Sequence, residues 1–166
     1  MNAIWQGLAM GIGATLALDL WAQLLKRTGG IASTDWSVVG RWFVGIAQGR
    51  LVLAAGEPTE RADYELALGW LVHHGVGLGY AFAYLALLQL SHASVSLYSA
   101  VVFGLVTLLS PWLILQPCLG MGFFASATPR PNLTRGLNVV AHLMFGVGLY
   151  LSWQVVNPAG SLAQLQ

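Results

Sequence analysis

The chain has 166 residues, 57% of them hydrophobic and only 8% charged, with seven Lys and Arg against six Asp and Glu for a formal net charge of +1. Soluble domains carry roughly a quarter charged residues, so this balance excludes an ordinary water-soluble domain and names lipid as the solvent. The net charge of +1 says nothing about nucleic acid, for which the chain gives little other support and no partner of that kind is expected, and the single cysteine, Cys118, excludes an internal disulfide or a Cys-rich metal cluster.

Four apolar runs, about 3–25, 66–90, 97–123 and 136–156, are each long enough to cross ~30 Å of hydrocarbon at ~1.5 Å per residue. Backbone groups in lipid must be satisfied within the chain, and the runs show no barrel-like alternation, so they are expected to be helices. The expected fold is an all-α membrane protein. It is a four-transmembrane-helix bundle forming one integral domain over 1–166, with an interfacial amphipathic helix at about 36–48 in the first cytoplasmic loop.

The first run carries Gly7, Gly11, Thr15, Asp19 and Gln23 at four-residue spacing, one small and polar stripe on a helix. Such a stripe is a packing face in membranes, so Asp19 is expected to point at other helices rather than at lipid. The run lacks a basic start and is followed directly by Lys26-Arg27, so it reads as an anchor rather than a cleaved signal peptide. In the long loop after it, Ser33-Thr34-Asp35 offers N-cap chemistry and Gly49 a stop. Between them Trp36, Val39, Trp42, Phe43 and Ile46 mark an apolar face. This predicts a helix lying in the inner headgroup layer, with a lid folded over the bundle as the rival reading. From Glu57 to Glu65 the chain turns acidic and loop-like.

The second run holds His73-His74. Adjacent helical residues diverge by about 100°, so the two are not expected to share a face. The third run contains Pro111 and Pro117, which leave the carbonyls of Thr107 and Leu113 without their helical partners. A kink or break is expected there. The turn Thr128-Pro129-Arg130-Pro131 leads to the fourth run, where Asn138, His142, Gly146 and Tyr150 repeat the four-residue stripe.

All seven Lys and Arg fall in the loops after the first and third runs: Lys26, Arg27, Arg41, Arg50 and Arg61 in one, Arg130 and Arg135 in the other. By the positive-inside rule both loops are cytoplasmic and both termini lie outside. Counted at ~1.5 Å per residue, Asp19 lies about 10 Å inside Lys26, His142 about 10 Å inside Arg135, His73 and His74 about 12–13 Å inside Glu65, and Gln116 about 9 Å inside Gly122. Four helices therefore offer polar groups at one level of the cytoplasmic leaflet. An ionisable group at that depth is costly and marks a site.

Several chemistries fit Asp19, His73, Gln116 and His142, with Trp21, Trp36, Trp70 and Asn138 framing the mouth. A carboxylate–imidazole pair shuttles protons, since histidine changes charge near neutral pH. His73 and His142 on facing helices suit a haem or a divalent metal, although no spaced metal motif is present. A polar network that merely fixes helix register is the plain alternative. No phosphate loop and no catalytic triad order is found, so no catalytic residue is named. The expected role is binding or moving a small solute or proton through a cytoplasm-facing pocket. The alternatives are a haem- or metal-binding redox or enzyme subunit, or a structural or assembly subunit of a membrane complex. Transport by four short helices suggests a homo-oligomer, with Gly7-x3-Gly11 and Gly75-x3-Gly79 as close-packing faces.

The motifs Gly11-x-Gly13-Ala14-Thr15 leading to Asp19-Leu20-Trp21, Asp35-Trp36 with Gly40-Arg41-Trp42, Gly69-Trp70 with His73, Gln116-Pro117 with Gly120 and Gly122, Ser126 to Pro129, and His142 with Phe145-Gly146-x-Gly148-x-Tyr150 span nearly the whole chain. In these it resembles an uncharacterised bacterial inner-membrane family, domain of unknown function family 2938. The resemblance implies a four-helix protein of the bacterial inner membrane and brings no activity or substrate. It also implies an aromatic residue where His74 stands, which singles out His73 as the inward histidine.

Overall fold

The computed structural model describes residues 2–31, 33–53 and 62–158, and among these it contains helices and turns but no strand. Arg61 and most of the acidic stretch 57–65 lie outside the described residues. The helices are α1 (Ala3–Gly29), α2 (Trp36–Ala47), α3 (Asp63–Leu90), α4 (Leu97–Thr107), α5 (Gln116–Cys118) and α6 (Pro131–Val156). A π-helical segment, Pro111–Leu115, joins α4 to α5. Four helices are long and apolar enough to cross a membrane: α1, α3, α6 and the composite Leu97–Cys118.

Helix ends follow local chemistry and shift the expected bounds. α1 runs on past residue 25 through Lys26 and Arg27, cations that suit the negative end of the helix dipole, and stops where Gly30 turns left-handed at φ 61°. α3 begins at Asp63 instead of residue 66, because Asp63 and Glu65 suit its positive end and the Glu65 carboxylate accepts from the Ala62 N–H at 3.3 Å. α6 begins at Pro131 instead of residue 136, proline being pre-shaped for the first helical turn. The third span ends at Cys118 and not at 123, since left-handed Gly120 and Gly122 break it. Asp35 caps α2 as expected, accepting from the Ser37 N–H at 3.1 Å and the Ser37 hydroxyl at 2.6 Å.

Packing runs in the order α3, α1, α6, α4 around the bundle. The α1 stripe faces α3: Gly7 meets Phe82, Gly11 the backbone of Leu78, and Thr15 meets Gly77. The opposite side of α1 faces α6, where Gly148 meets Ala14 and Ala17, Gly13 meets Ser152, and Gln6 donates to Asn157 at 2.8 Å. α6 and α4 close through Gly104 and Gly146, too near for any side chain between them. Between α3 and α4 large rings fill the wider gap. Tyr84 lies 5.1 Å from Phe103 and its hydroxyl 2.7 Å from that of Ser99, while Tyr80 abuts Phe103 and Phe145 edge-on. Met10, Ala14, Ala81, Tyr84 and Leu149 are sealed in this core. Leu20, Leu71, Leu90, Tyr98 and Val155 point outward, as lipid-facing side chains should.

α2 docks along the start of α3. A Cβ on Gly40 would strike the carbonyl of Glu65, and one on Gly69 the carbonyl of Trp36. Glycine is required at both positions for the two backbones to touch. The contact is locked by Arg41, whose Nε and Nη2 donate to the two Glu65 carboxylate oxygens at 3.0 and 2.9 Å. Gly7 and Gly11, expected to be candidate faces for a second subunit, are spent inside the bundle against α3, whereas Gly75 and Gly79 meet nothing within 4 Å.

Candidate functional site

Asp19 continues the α1 stripe one turn beyond Thr15, so the ladder Gly7–Phe82, Gly11–Leu78, Thr15–Gly77 carries it to His73. Asp19 Oδ1 lies 2.9 Å from His73 Nε2. Its other oxygen, Oδ2, lies 4.0 Å from His74 Nε2. The two histidines do diverge around α3, yet both reach the same carboxylate, because Asp19 faces the groove between them. His73 is the inner one, its side chain 11% exposed against 39% for His74.

Trp36 at the head of α2 stacks on His73 with centroids 3.9 Å apart and planes at 27°. Trp70 stacks on His74 at 5.8 Å and meets Trp36 at 5.7 Å. Two indoles thus lie against the two histidines that face Asp19. The Gly40–Gly69 contact sets this stack, since α2 cannot bring Trp36 over His73 without it.

Gln116 and His142 belong to the interface between α6 and the broken third span. The Gln116 amide donates to Asn138 Oδ1 at 3.0 Å. His142 Nδ1 lies 2.9 Å from the Thr107 hydroxyl, and that hydroxyl lies 2.6 Å from the Gly104 carbonyl. Thr107 and Gln116 are nine residues apart. At about 100° per residue a regular helix would set them on opposite faces. The wider π-helical turn after Pro111, in which the Gln116 N–H reaches back to the Pro111 carbonyl, rotates Gln116 onto α6. The two prolines thereby aim a side chain as well as break a helix.

Among the described residues no hydrogen bond, ion pair or ring contact joins Asp19 and His73 to Gln116 and His142. The antiparallel registers still place them at similar depth. Asp19, one turn beyond Ala14–Ala17, falls opposite the stretch of α6 just above His142. Three buried polar atoms at this end have no protein partner: Gln116 Oε1, Trp112 Nε1 and Trp21 Nε1. Each unmet group of this kind costs about 1–3 kcal/mol. Gln154 Oε1, farther along α6, is a fourth.

The described residues include no group of three or more His, Cys, Asp and Glu arranged to hold a metal ion. His73 Nε2 is engaged by Asp19, so a paired-histidine haem site with His142 would have to break that contact. Sequence reading overlooked the α3 stripe of Glu65, Gly69, His73, Gly77 and Ala81, although its four-residue spacing matches that of α1. It also passed over the Thr107 hydroxyl, Trp112 and the Arg41–Glu65 pair, none of which carries a spacing signal.

No curated protein and no solved structure matches the chain. Residues 8–156, nearly the full length and both halves of the site, match the sequence profile described as "Protein of unknown function (DUF2938)". The chain therefore belongs to the DUF2938 family, as the motifs around Asp19, Gln116 and His142 suggested.

Proposed function

We propose that this protein binds and moves protons, or a small solute with them, through a cytoplasm-facing pocket lined by Asp19, His73, Gln116 and His142 and framed by Trp21, Trp36, Trp70 and Asn138. The 2.9 Å contact between the Asp19 carboxylate and His73 Nε2 carries this reading. A carboxylate within a membrane span is costly unless it is paired, and an imidazole partner gives the pair a proton to take up or release. His74, at 4.0 Å and more exposed, is the route by which that proton reaches the cytoplasm.

The inward orientation follows from charge. Every described Lys and Arg lies at the end of the bundle where α1 and α4–α5 finish and α3 and α6 start. This supports both termini lying outside the bacterial inner membrane. α2 then rests in the inner headgroup layer with Phe43 turned outward, 45% exposed, while Trp36 closes over the pair. Transport is the work of a homo-oligomer, for which the open Gly75 and Gly79 face of α3 is the close-packing surface.

Proteoliposomes loaded with a pH-sensitive dye and driven by a potassium diffusion potential test the proton reading. Wild-type protein should acidify the lumen, and Asp19→Asn should slow this roughly tenfold or more at unchanged helix content. A wild-type rate equal to that of protein-free liposomes would overturn it.

A further inference from the structure

The interface between α6 and the broken third span has a chemistry of its own. Thr107 has one hydroxyl proton, and its oxygen lies 2.6 Å from the Gly104 carbonyl oxygen, which can only accept that proton. The same oxygen must therefore accept from His142 Nδ1, 2.9 Å away. That fixes neutral His142 in the Nδ1–H form and leaves Nε2 as a bare acceptor. Gln116 is 4% exposed, its amide nitrogen is committed to Asn138, and its Oε1 accepts from nothing. Trp112, one turn before Gln116, buries an indole N–H that donates to nothing.

On α6, Asn138 and His142 are one turn apart on one face, and Gln116 and Thr107 contact them in turn. Gln116 Oε1 and Trp112 Nε1 are thus two buried groups without a protein partner, one turn apart, on the interface that also holds His142. No Asp, Glu, Lys or Arg is among these residues. The Ala14–Ala17 contact with Gly148 brings Trp21, next on that face of α1, toward the same stretch of α6 with a second unpartnered indole N–H.

We propose that this interface is the solute half of the pocket, resting on the reading above, and that its ligand is a small neutral primary amide or urea-like molecule. Its N–H groups donate to Gln116 Oε1 and His142 Nε2, and its carbonyl accepts from the Trp112 indole. A cation would leave the indole N–H unanswered, and an anion would be repelled by the two acceptors. The proton pair at Asp19–His73 and the solute site at Gln116–His142 are then separate stations on opposite interfaces of one bundle.

The test uses full-length protein in nanodiscs, labelled with nitrogen-15 in tryptophan and histidine, with acetamide as the probe and N,N-dimethylacetamide as the control that lacks N–H donors. Before any addition, His142 should show the Nδ1–H form. The Trp112 indole signal, assigned by Trp112→Phe, should move saturably with acetamide, and His142 Nε2 should move with it. The control should act roughly tenfold or more weakly, as loss of hydrogen bonds to buried polar groups requires. Gln116→Met should weaken acetamide by a similar factor. An Nε2–H form of His142, a Trp112 signal indifferent to acetamide, or equal responses to the two probes would each overturn the proposal. None of the three needs a folded Gln116 variant. If instead acetamide binds and wild-type liposomes take up no proton, the solute site stands and the proton reading falls.

Discussion

Asp19 and His73 illustrate how a single hydrogen bond can hold two spans together where lipid offers no competing water. Replacing either partner alone leaves the other polar group facing a gap, while replacing both removes the need. A double-mutant cycle with Asp19→Leu and His73→Leu, read by thermal unfolding in detergent, should give a coupling of about 1–3 kcal/mol. Strict additivity would mean that the 2.9 Å contact contributes nothing. Thr107 acts on His142 in a different way. Thr107→Val removes the acceptor that holds His142 in its Nδ1–H form, so the imidazole nitrogen-15 spectrum should change to a mixture of forms. A spectrum identical to wild type would show that the threonine does not set the tautomer. Both residues were within reach of sequence reading to unequal degrees. An acid in an apolar run announces itself; the hydroxyl of Thr107 does not, although Pro111 marks its carbonyl, because its importance comes from a neighbour 35 positions away.

α2 and the π-helical segment are the two elements that place the site. α2 is held by backbone contact at Gly40 and Gly69 and by the Arg41–Glu65 fork. Gly69→Val should lift it, at a cost of about 1–3 kcal/mol from overpacking, and take Trp36 off His73. Tryptophan emission should shift and trypsin should cut at Arg41 or Arg50 faster than in wild type; an unchanged digestion pattern would place the hold elsewhere. The π-helical segment can be tested through its geometry. In a Cys118→Ser background, cysteines at 116 and 138 should be bridged readily by a short bifunctional thiol reagent, since the ends of the Gln116 and Asn138 side chains touch at 3.0 Å. Adding Pro111→Ala allows a regular helix, which turns position 116 away and should suppress the cross-link. Equal yields with and without the proline would refute the rotation. The break itself was legible from Pro111 and Pro117; that it is a π-helical widening was not, because a proline removes a helical bond without fixing which carbonyl the following N–H groups take.

At the scale of the molecule, the charge asymmetry and the exposed Gly75 and Gly79 face make the last test. Single cysteines introduced at 2 and 158, again with Cys118→Ser, should react with an impermeant maleimide from outside intact cells, and one at 28 only after lysis. Labelling of the termini from inside would invert the pocket. Composition, run length and four-residue spacing were enough to expect four helices and two polar stripes, because lipid forces backbone bonds inward and small residues mark where helices touch. Spacing along one helix carries no information about which other helix its stripe meets. Only the packed structure sends the Asp19 stripe to α3 and the His142 stripe to the third span, since that pairing depends on which glycines let two backbones close and where large rings hold them apart.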